Sequence, residues 1–344
     1  MKTSIGIKSA LSYPLYRYNI IEKLFKNKNK NCFFILMFHR IIHKKEPNIL
    51  LQGGMYVDMN TFKKQVLYLR NRFTIISLDK VLNIFDMTSK NAVNKPYCIF
   101  TFDDGWKDFY ENAYPILLSY NIHATVFLPT DYIGTNKQFW TDKLAYILCK
   151  TERDESAFIG LRYKNIIKDI GNLRGSVEAK LESAVKMLKS LPMENIEQIL
   201  DEIAKKLKLK SETDTNSFLS WEEVKEMYNS GIVSFGSHTK SHRILTTISE
   251  KVIQDELVQS REKLIEEGVV SPSFIPFTYP NGNYTDKIAE MVKEAGYDLA
   301  LTTESGWNHM TDNKNELFQL KRIGIHQDMS STNAMLACRI YGIY

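Results

Sequence analysis

The sequence predicts an α/β fold, and three observations carry that prediction. Short runs rich in β-branched and aromatic residues recur along the 344 residues and end in charged or polar motifs. Between them lie segments with apolar residues three and four apart amid Lys and Glu, the spacing of amphipathic helices. Glycines stop two of these segments, Gly268 and Gly296.

In chain order, Phe33-Phe34-Ile35-Leu36-Met37-Phe38 reads as the first strand and ends at His39. Asn60 to Leu69, with Phe62, Val66 and Leu69, predicts a helix. A strand over Phe73 to Ser77 and a short helix over Leu78 to Phe85 follow. After Pro96, Ile99-Phe100-Thr101-Phe102 reads as a buried strand that ends in Asp103, Asp104 and Gly105. Residues 145 to 217 then interrupt the alternation, and Val177 to Leu188 and Ile196 to Leu209 predict a helical insertion. Ile232-Val233-Ser234-Phe235 is strand-like; Gly236 is expected to break it before His238 and His242. Ser249 to Glu267 and Thr285 to Ala295 are amphipathic helices, and Lys321 to His326 carries a last strand-like run.

The chemistry sits at two strand ends. Two imidazoles four residues apart can reach one ion from a helical turn or from a folded-back loop. With one carboxylate they form a three-ligand set with an open position, expected of catalytic zinc or a related divalent ion. Water in that position has a pKa of about 7 in favourable zinc sites. Two adjacent acids then divide the labour, one as ligand and the other as general base. Taken singly, Asp-Asp-Gly is also a turn signature, and a His-x3-His pair is common on surfaces. Both at strand ends of one α/β chain point to a hydrolase.

A third segment, Phe277-Thr278-Tyr279-Pro280-Asn281-Gly282, completes a set. With Thr101 to Gly105 and Gly236 to His242, in that order, it resembles the polysaccharide deacetylases that share the NodB homology domain, carbohydrate esterase family 4. Met37-Phe38-His39-Arg40, Ala124 to Leu128 at another strand, and Leu219-Ser220-Trp221 opening a helix are similar to flanking text of that family. The resemblance covers residues 33 to 330. It implies a distorted (β/α) barrel of the NodB type, here with a helical insertion. It also implies removal of the acetyl group from an N-acetylated saccharide with a bound divalent metal, zinc first, then cobalt, nickel or manganese.

Carried over by position, the resemblance makes Asp103 the general base and Asp104, His238 and His242 the metal ligands. It puts the backbone N–H of Asn281 at the oxyanion, where one pre-aimed donor contributes about 2.7–4 kcal/mol, with Tyr279 and Pro280 beside the substrate. His326 is the candidate general acid, or else a strand-end histidine. Trp307 is similar to a pocket-lining tryptophan, with a core tryptophan as the alternative. His39 faces the barrel mouth or is a hydrogen-bonded structural histidine. One departure stands out: many relatives carry an arginine where this chain has Thr278, to orient the catalytic aspartate; Arg322 and Lys321, on a neighbouring strand, are the candidates to replace it, and the sequence leaves the role unassigned. An O-acetyl esterase and a non-catalytic saccharide-binding protein on the same scaffold are the rival readings.

The remaining expectations concern organisation and location. Residues 1–30 form a basic and aromatic extension, and 31–344 the barrel domain with its insertion at about 145–217, a cover for one side of the barrel mouth or a solvated appendage. Cys32, Cys98, Cys149 and Cys338 lack paired spacing, so no disulfide is expected. The start of the chain does not read as a signal peptide, and no apolar run is long enough to span a bilayer. A cytoplasmic protein is expected, and the basic, aromatic mixture of residues 10–30 is compatible with peripheral contact at the inner membrane face. A net charge of +5, spread along the chain without a recognition motif, argues against nucleic acid. A lipid-linked or nucleotide-linked N-acetyl sugar fits that location better than finished cell wall.

Overall fold

The computed structural model describes residues 10, 12–18, 20, 32–43, 54–86, 95–151, 170, 173, 175–189, 191–209, 217–309 and 314–343. The chain folds as two compact units. One comprises Met1–Lys44, Tyr56–Thr135 and Phe218–Tyr344, and the other Lys45–Met55 and Asn136–Ser217.

The first unit is built on a curled parallel sheet. Its main strands are β1 (Cys32–Phe38), β2 (Tyr97–Phe102), β3 (Ala124–Leu128), β4 (Val233–Ser237), β5 (Pro276–Thr278), β6 (Leu299–Leu301) and β7 (Ile323–Gly324). Strands β1 to β6 lie in sequence order, each parallel to the next. Strand β7 returns to pair with β1, Leu36 opposite Ile323 and Met37 opposite Gly324. Just before it, Leu320 bridges Leu301 of β6. The segment 320–324 therefore touches both edges of the sheet and curls it into the distorted barrel the sequence leads one to expect.

Strands β1 and β2 are apolar on both faces because both faces are covered, as parallel sheets require. Rings from β1, β2 and the helices interlock in that core: Phe38 packs on Phe102 at 5.1 Å and on Phe62 at 5.4 Å, and Phe102 meets Phe109 at 4.6 Å. Each buried phenylalanine contributes about 1.5–3 kcal/mol. Around the sheet run α1 (Met59–Arg72), α2 (Tyr114–Tyr120), α3 (Trp221–Asn229), α4 (Glu250–Glu266), α5 (Asp286–Glu294) and α6 (Asn333–Ile340). Helix α3 starts on a capping box in which Ser220 Oγ accepts from the Glu223 N–H, and Glu223 accepts from the Ser220 N–H. That reciprocal pair satisfies two donors that the helix itself cannot.

Gly236 does not break β4; it lies inside the strand. A Cβ there would sit 2.6 Å from the Pro276 carbonyl oxygen and 2.7 Å from the Phe127 ring. The backbone approach that excludes a methyl group is what lets β3, β4 and β5 converge below the histidine motif. Gly236→Ala is expected to destabilise the protein by about 1–3 kcal/mol through overpacking. Urea unfolding checks this, and a midpoint equal to that of the parent would refute it.

The second unit takes in the segment 145–217. Among its described residues are the helices Trp140–Thr151, Val177–Leu188 and Met193–Lys206. Leu144, Ile147 and Leu148 of the first pack with Leu181, Leu188 and Leu200 in a core of their own. The first of these helices supplies a face of this core, and the longer segment of the unit begins at Asn136. Trp140 packs against the same cluster.

Part of the N-terminal stretch packs within the first unit. The Tyr16 ring lies 6.0 Å from that of Tyr68 on α1, with the Arg72 guanidinium over both. Tyr13 and Tyr18 are exposed, and residues 21–30 of the proposed membrane-contacting stretch lie outside the described residues. No described helix is long and apolar enough to cross a membrane. The four cysteines are free thiols, and Cys32, Cys98 and Cys338 are buried in the core.

Candidate active site

Parallel strands bring their C-terminal ends to one end of the sheet, and the chemical groups sit there. His39 follows β1, Asp103 and Asp104 follow β2, His238 follows β4, Thr278 ends β5, and His326 stands two residues beyond β7.

Asp104, His238 and His242 offer ligand atoms that all lie within 4.8 Å of one another. Asp104 Oδ1 is 3.4 Å from His238 Nε2 and 3.3 Å from His242 Nε2. Those separations exceed the usual N–H···O distance of about 2.9–3.0 Å. They match the donor–donor edge of about 3.3–3.6 Å that tetrahedral bonds of about 2.0–2.2 Å impose. The donor set therefore fits a divalent ion. Outer contacts aim two of the ligands: His238 Nδ1–H donates to the Thr278 carbonyl at 2.9 Å, leaving Nε2 to present a lone pair. Trp106 Nε1–H donates to Asp104 Oδ2 at 3.0 Å, so Oδ1 faces the imidazoles.

The His-x3-His stretch is the folded-back loop rather than a helical turn. Thr239 and His242 have φ of 63° and 59°, and Asp104 has φ of 75°. Positive φ is uncommon outside glycine, and a β-branched threonine there is strained. Strain of this kind persists where surrounding contacts over-determine it, typically at functional sites.

Asp103 sits beside this cluster, almost wholly buried, and is gripped by a guanidinium. Arg322 Nη1 donates to its Oδ1 at 2.7 Å, and Nη2 to its Oδ2 at 2.8 Å. Arg322 itself is fully buried, with Nε–H donating to the Thr302 carbonyl and Nη2 also donating to Thr278 Oγ1. Of the two substitutes for the missing motif arginine, Arg322 reaches the aspartate, delivered by the segment that closes the sheet. Lys321 donates its backbone N–H to Asn308. Burial pushes the Asp103 carboxyl up, but the charge and hydrogen bonds of Arg322, with His238 and His39, hold it below its ordinary value. Burial likewise pushes Asp104 up, and the two facing imidazoles leave it well below the usual carboxylate range.

His39 is half-buried; burial lowers its pKa while Asp104 and Asp103 oppose that, which places it within electrostatic reach of both acids. His326 pairs through Nδ1 with the Asp328 carboxylate. The Ile325 N–H donates to the Met37 carbonyl, so His326 stands beside the end of β1 that also carries His39.

The third motif is divided. Asn281 is exposed, on a turn with φ of 59°, but Tyr279 and Pro280 are buried. The Tyr279 hydroxyl donates to the Phe318 carbonyl at 3.0 Å and its ring stacks on Tyr284, so this side chain anchors the turn instead of meeting a ligand. Trp307 is not brought to the site. Its ring packs on Phe34, in the first half of β1, and on Tyr341, and its N–H donates to the Ile340 carbonyl. The antiparallel pairing of Asn308 and His309 with Phe33 and Cys32 carries it toward the opposite end of the strand.

The family model of the polysaccharide deacetylases matches residues 90–300, more than half of the chain. The chain belongs to the polysaccharide deacetylase family. YxkH of Bacillus subtilis (strain 168), whose name assigns it to the same family, is 22% identical over 246 residues, 72% of this chain but 57% of YxkH. The match thus spans little more than half the length of that relative. Among solved structures, the polysaccharide deacetylase BC0361 from Bacillus cereus superposes with a TM-score of 0.56 at 22% identity, covering 90% of this chain and 69% of that one. The Streptococcus pyogenes deacetylase PplD, in complex with acetate, gives 0.56 at 21% identity, covering 89% and 97%. At such identities these likenesses establish the fold.

Within the polysaccharide deacetylase match lie all three motifs, from Asp103 to Asn281. Arg322 and His326 lie beyond it, and the fold alone brings them back. Sequence reasoning missed Trp106, whose hydrogen bond to Asp104 was within view two residues away, and Glu256 and Ser260, whose contacts span 15 and 21 residues.

Proposed function

We propose that this chain is a metal-dependent deacetylase that removes the N-acetyl group from an N-acetylated saccharide. The observation that carries the reading is the ionised, buried Asp103, fixed by Arg322 next to the three-donor cluster of Asp104, His238 and His242. A divalent ion, zinc by the donor set, would be held by those three residues and would polarise the acetyl carbonyl and acidify a water. Asp103 is free of ligand duty and takes the proton from the attacking water. Arg322 keeps its carboxylate charged and correctly turned. The N–H of Asn281 stabilises the oxyanion, and His326, oriented by Asp328, protonates the departing amine; His39 lines the substrate side. The arginine absent at Thr278 kept a purely saccharide-binding role in play; the grip of Arg322 on Asp103 supports catalysis instead, because binding needs no such oriented carboxylate.

The test is acetate release from N-acetylglucosamine oligosaccharides and their O-acetylated analogues by zinc-loaded protein, parent beside Asp103→Asn. Release from the N-acetyl substrate is expected to fall about 10²–10⁴-fold in the variant with zinc content unchanged. Release from O-acetyl substrates alone would replace this reading with an esterase.

A further inference from the structure

We propose that Glu256 is a positioning residue for the metal ligands, acting through Ser241; this rests on Asp104, His238 and His242 holding the ion. Glu256 lies on α4 and is only 5% exposed. Its Oε2 accepts from the Ser241 N–H at 2.7 Å, and its Oε1 from the Ser241 hydroxyl. Among the described residues its hydrogen bonds all go to this serine, and no Lys or Arg pairs with it. A buried carboxylate is costly unless donors satisfy it. Here the donors are supplied by the loop between the two histidines.

The rest of α4 repeats the arrangement. Ser260 Oγ donates to the Thr239 carbonyl at 3.1 Å and shares a hydrogen bond with Ser237 Oγ at 2.7 Å. The Lys240 ammonium donates to Gln259 Oε1 at 2.6 Å. Thr239, Lys240 and Ser241 are all the residues between His238 and His242, and each is tied to the same helix. From the opposite side, the Thr130 and Asp131 N–H groups donate to the Thr239 and Lys240 carbonyls. Two residues of this loop, Thr239 and His242, hold positive φ, which relaxes when its tethers are lost. Helix α4 therefore sets where His242 Nε2 sits relative to His238 and Asp104. Of its tethers, Glu256 is the one that fixes the residue immediately before the second histidine.

Competition with a chromophoric chelator measures zinc affinity in the parent, Glu256→Gln, Ser241→Ala, the double variant and His242→Ala. The visible spectrum of each cobalt-loaded protein reports ligand geometry, and thermal unfolding of the metal-free proteins reports the fold. Glu256→Gln keeps the shape but faces the Ser241 N–H with a group that can accept through one atom only. It is expected to weaken zinc binding about tenfold or more and to shift the cobalt bands, changes that a purely structural role would not produce in a folded protein. Ser241→Ala, which retains its N–H, should weaken zinc less, and the double variant should bind no more weakly than Glu256→Gln alone. Parental zinc affinity and an unchanged cobalt spectrum in Glu256→Gln would overturn the proposal. Failure of the parent to bind zinc, or full binding by His242→Ala, would instead overturn the metal reading beneath it.

Discussion

The Arg322→Met protein is expected to be about 3–5 kcal/mol less stable than the parent. Arg322 and Asp103 are buried together, at 0% and 3% exposure. Removing the cation leaves an almost wholly buried carboxylate that has lost both of its charge-assisted hydrogen bonds. It also strips a donor from Thr278 Oγ1 and from the Thr302 carbonyl. Lysine is not a remedy, because a single ammonium cannot reproduce the two parallel N–H···O bonds to Oδ1 and Oδ2. A double variant separates charge from packing. In Asp103→Asn/Arg322→Met the uncompensated charge is gone, so most of the lost stability should return while deacetylation stays absent. Urea unfolding of the two single variants and the double variant decides this. Equal stability of Arg322→Met and the parent would show that the pair is not desolvated in solution.

The pair also shows how far the sequence alone could be read. Strands β1 and β2 announce themselves as apolar runs because both faces of a parallel sheet are covered, and the acids and histidines at the strand ends stand in local motifs. A local reading therefore reaches Asp103, Asp104, His238 and His242. It reaches Arg322 only as one of two neighbours. Which of Lys321 and Arg322 points inward depends on the pairing of Leu320 with Leu301 and of Ile323 with Leu36, contacts about twenty and nearly three hundred residues apart. Trp307 follows the same logic. Its likeness to a pocket-lining tryptophan left a pocket wall and a core position both open, and the pairing of Asn308 with Phe33 places it beside Phe34. Tyr279 belongs to a motif whose exposed member is Asn281, and only the packed turn reveals that the tyrosine faces inward.

Stripping divalent metal with a chelator is expected to reduce deacetylation to background, and adding back zinc to restore it. His238→Ala should be silent whether or not zinc is supplied. The fold should survive both treatments, because the ligands have protein partners of their own: His238 with the Thr278 carbonyl, and Asp104 with the Trp106 indole. What the apo protein loses is the linkage contribution of the ion, about 2.7 kcal/mol when free zinc stands at one hundred times its dissociation constant. The unfolding midpoint should therefore climb with zinc concentration in the parent and stay flat in His238→Ala, which has one donor fewer. This pairing of readouts separates two causes of inactivity. An inactive His238→Ala protein whose midpoint still rises with zinc would mean that the ion binds elsewhere and that the three-donor cluster serves another purpose. A flat midpoint in the parent, with activity indifferent to the chelator, would remove metal from the reaction and leave Asp103 and Arg322 as its centre.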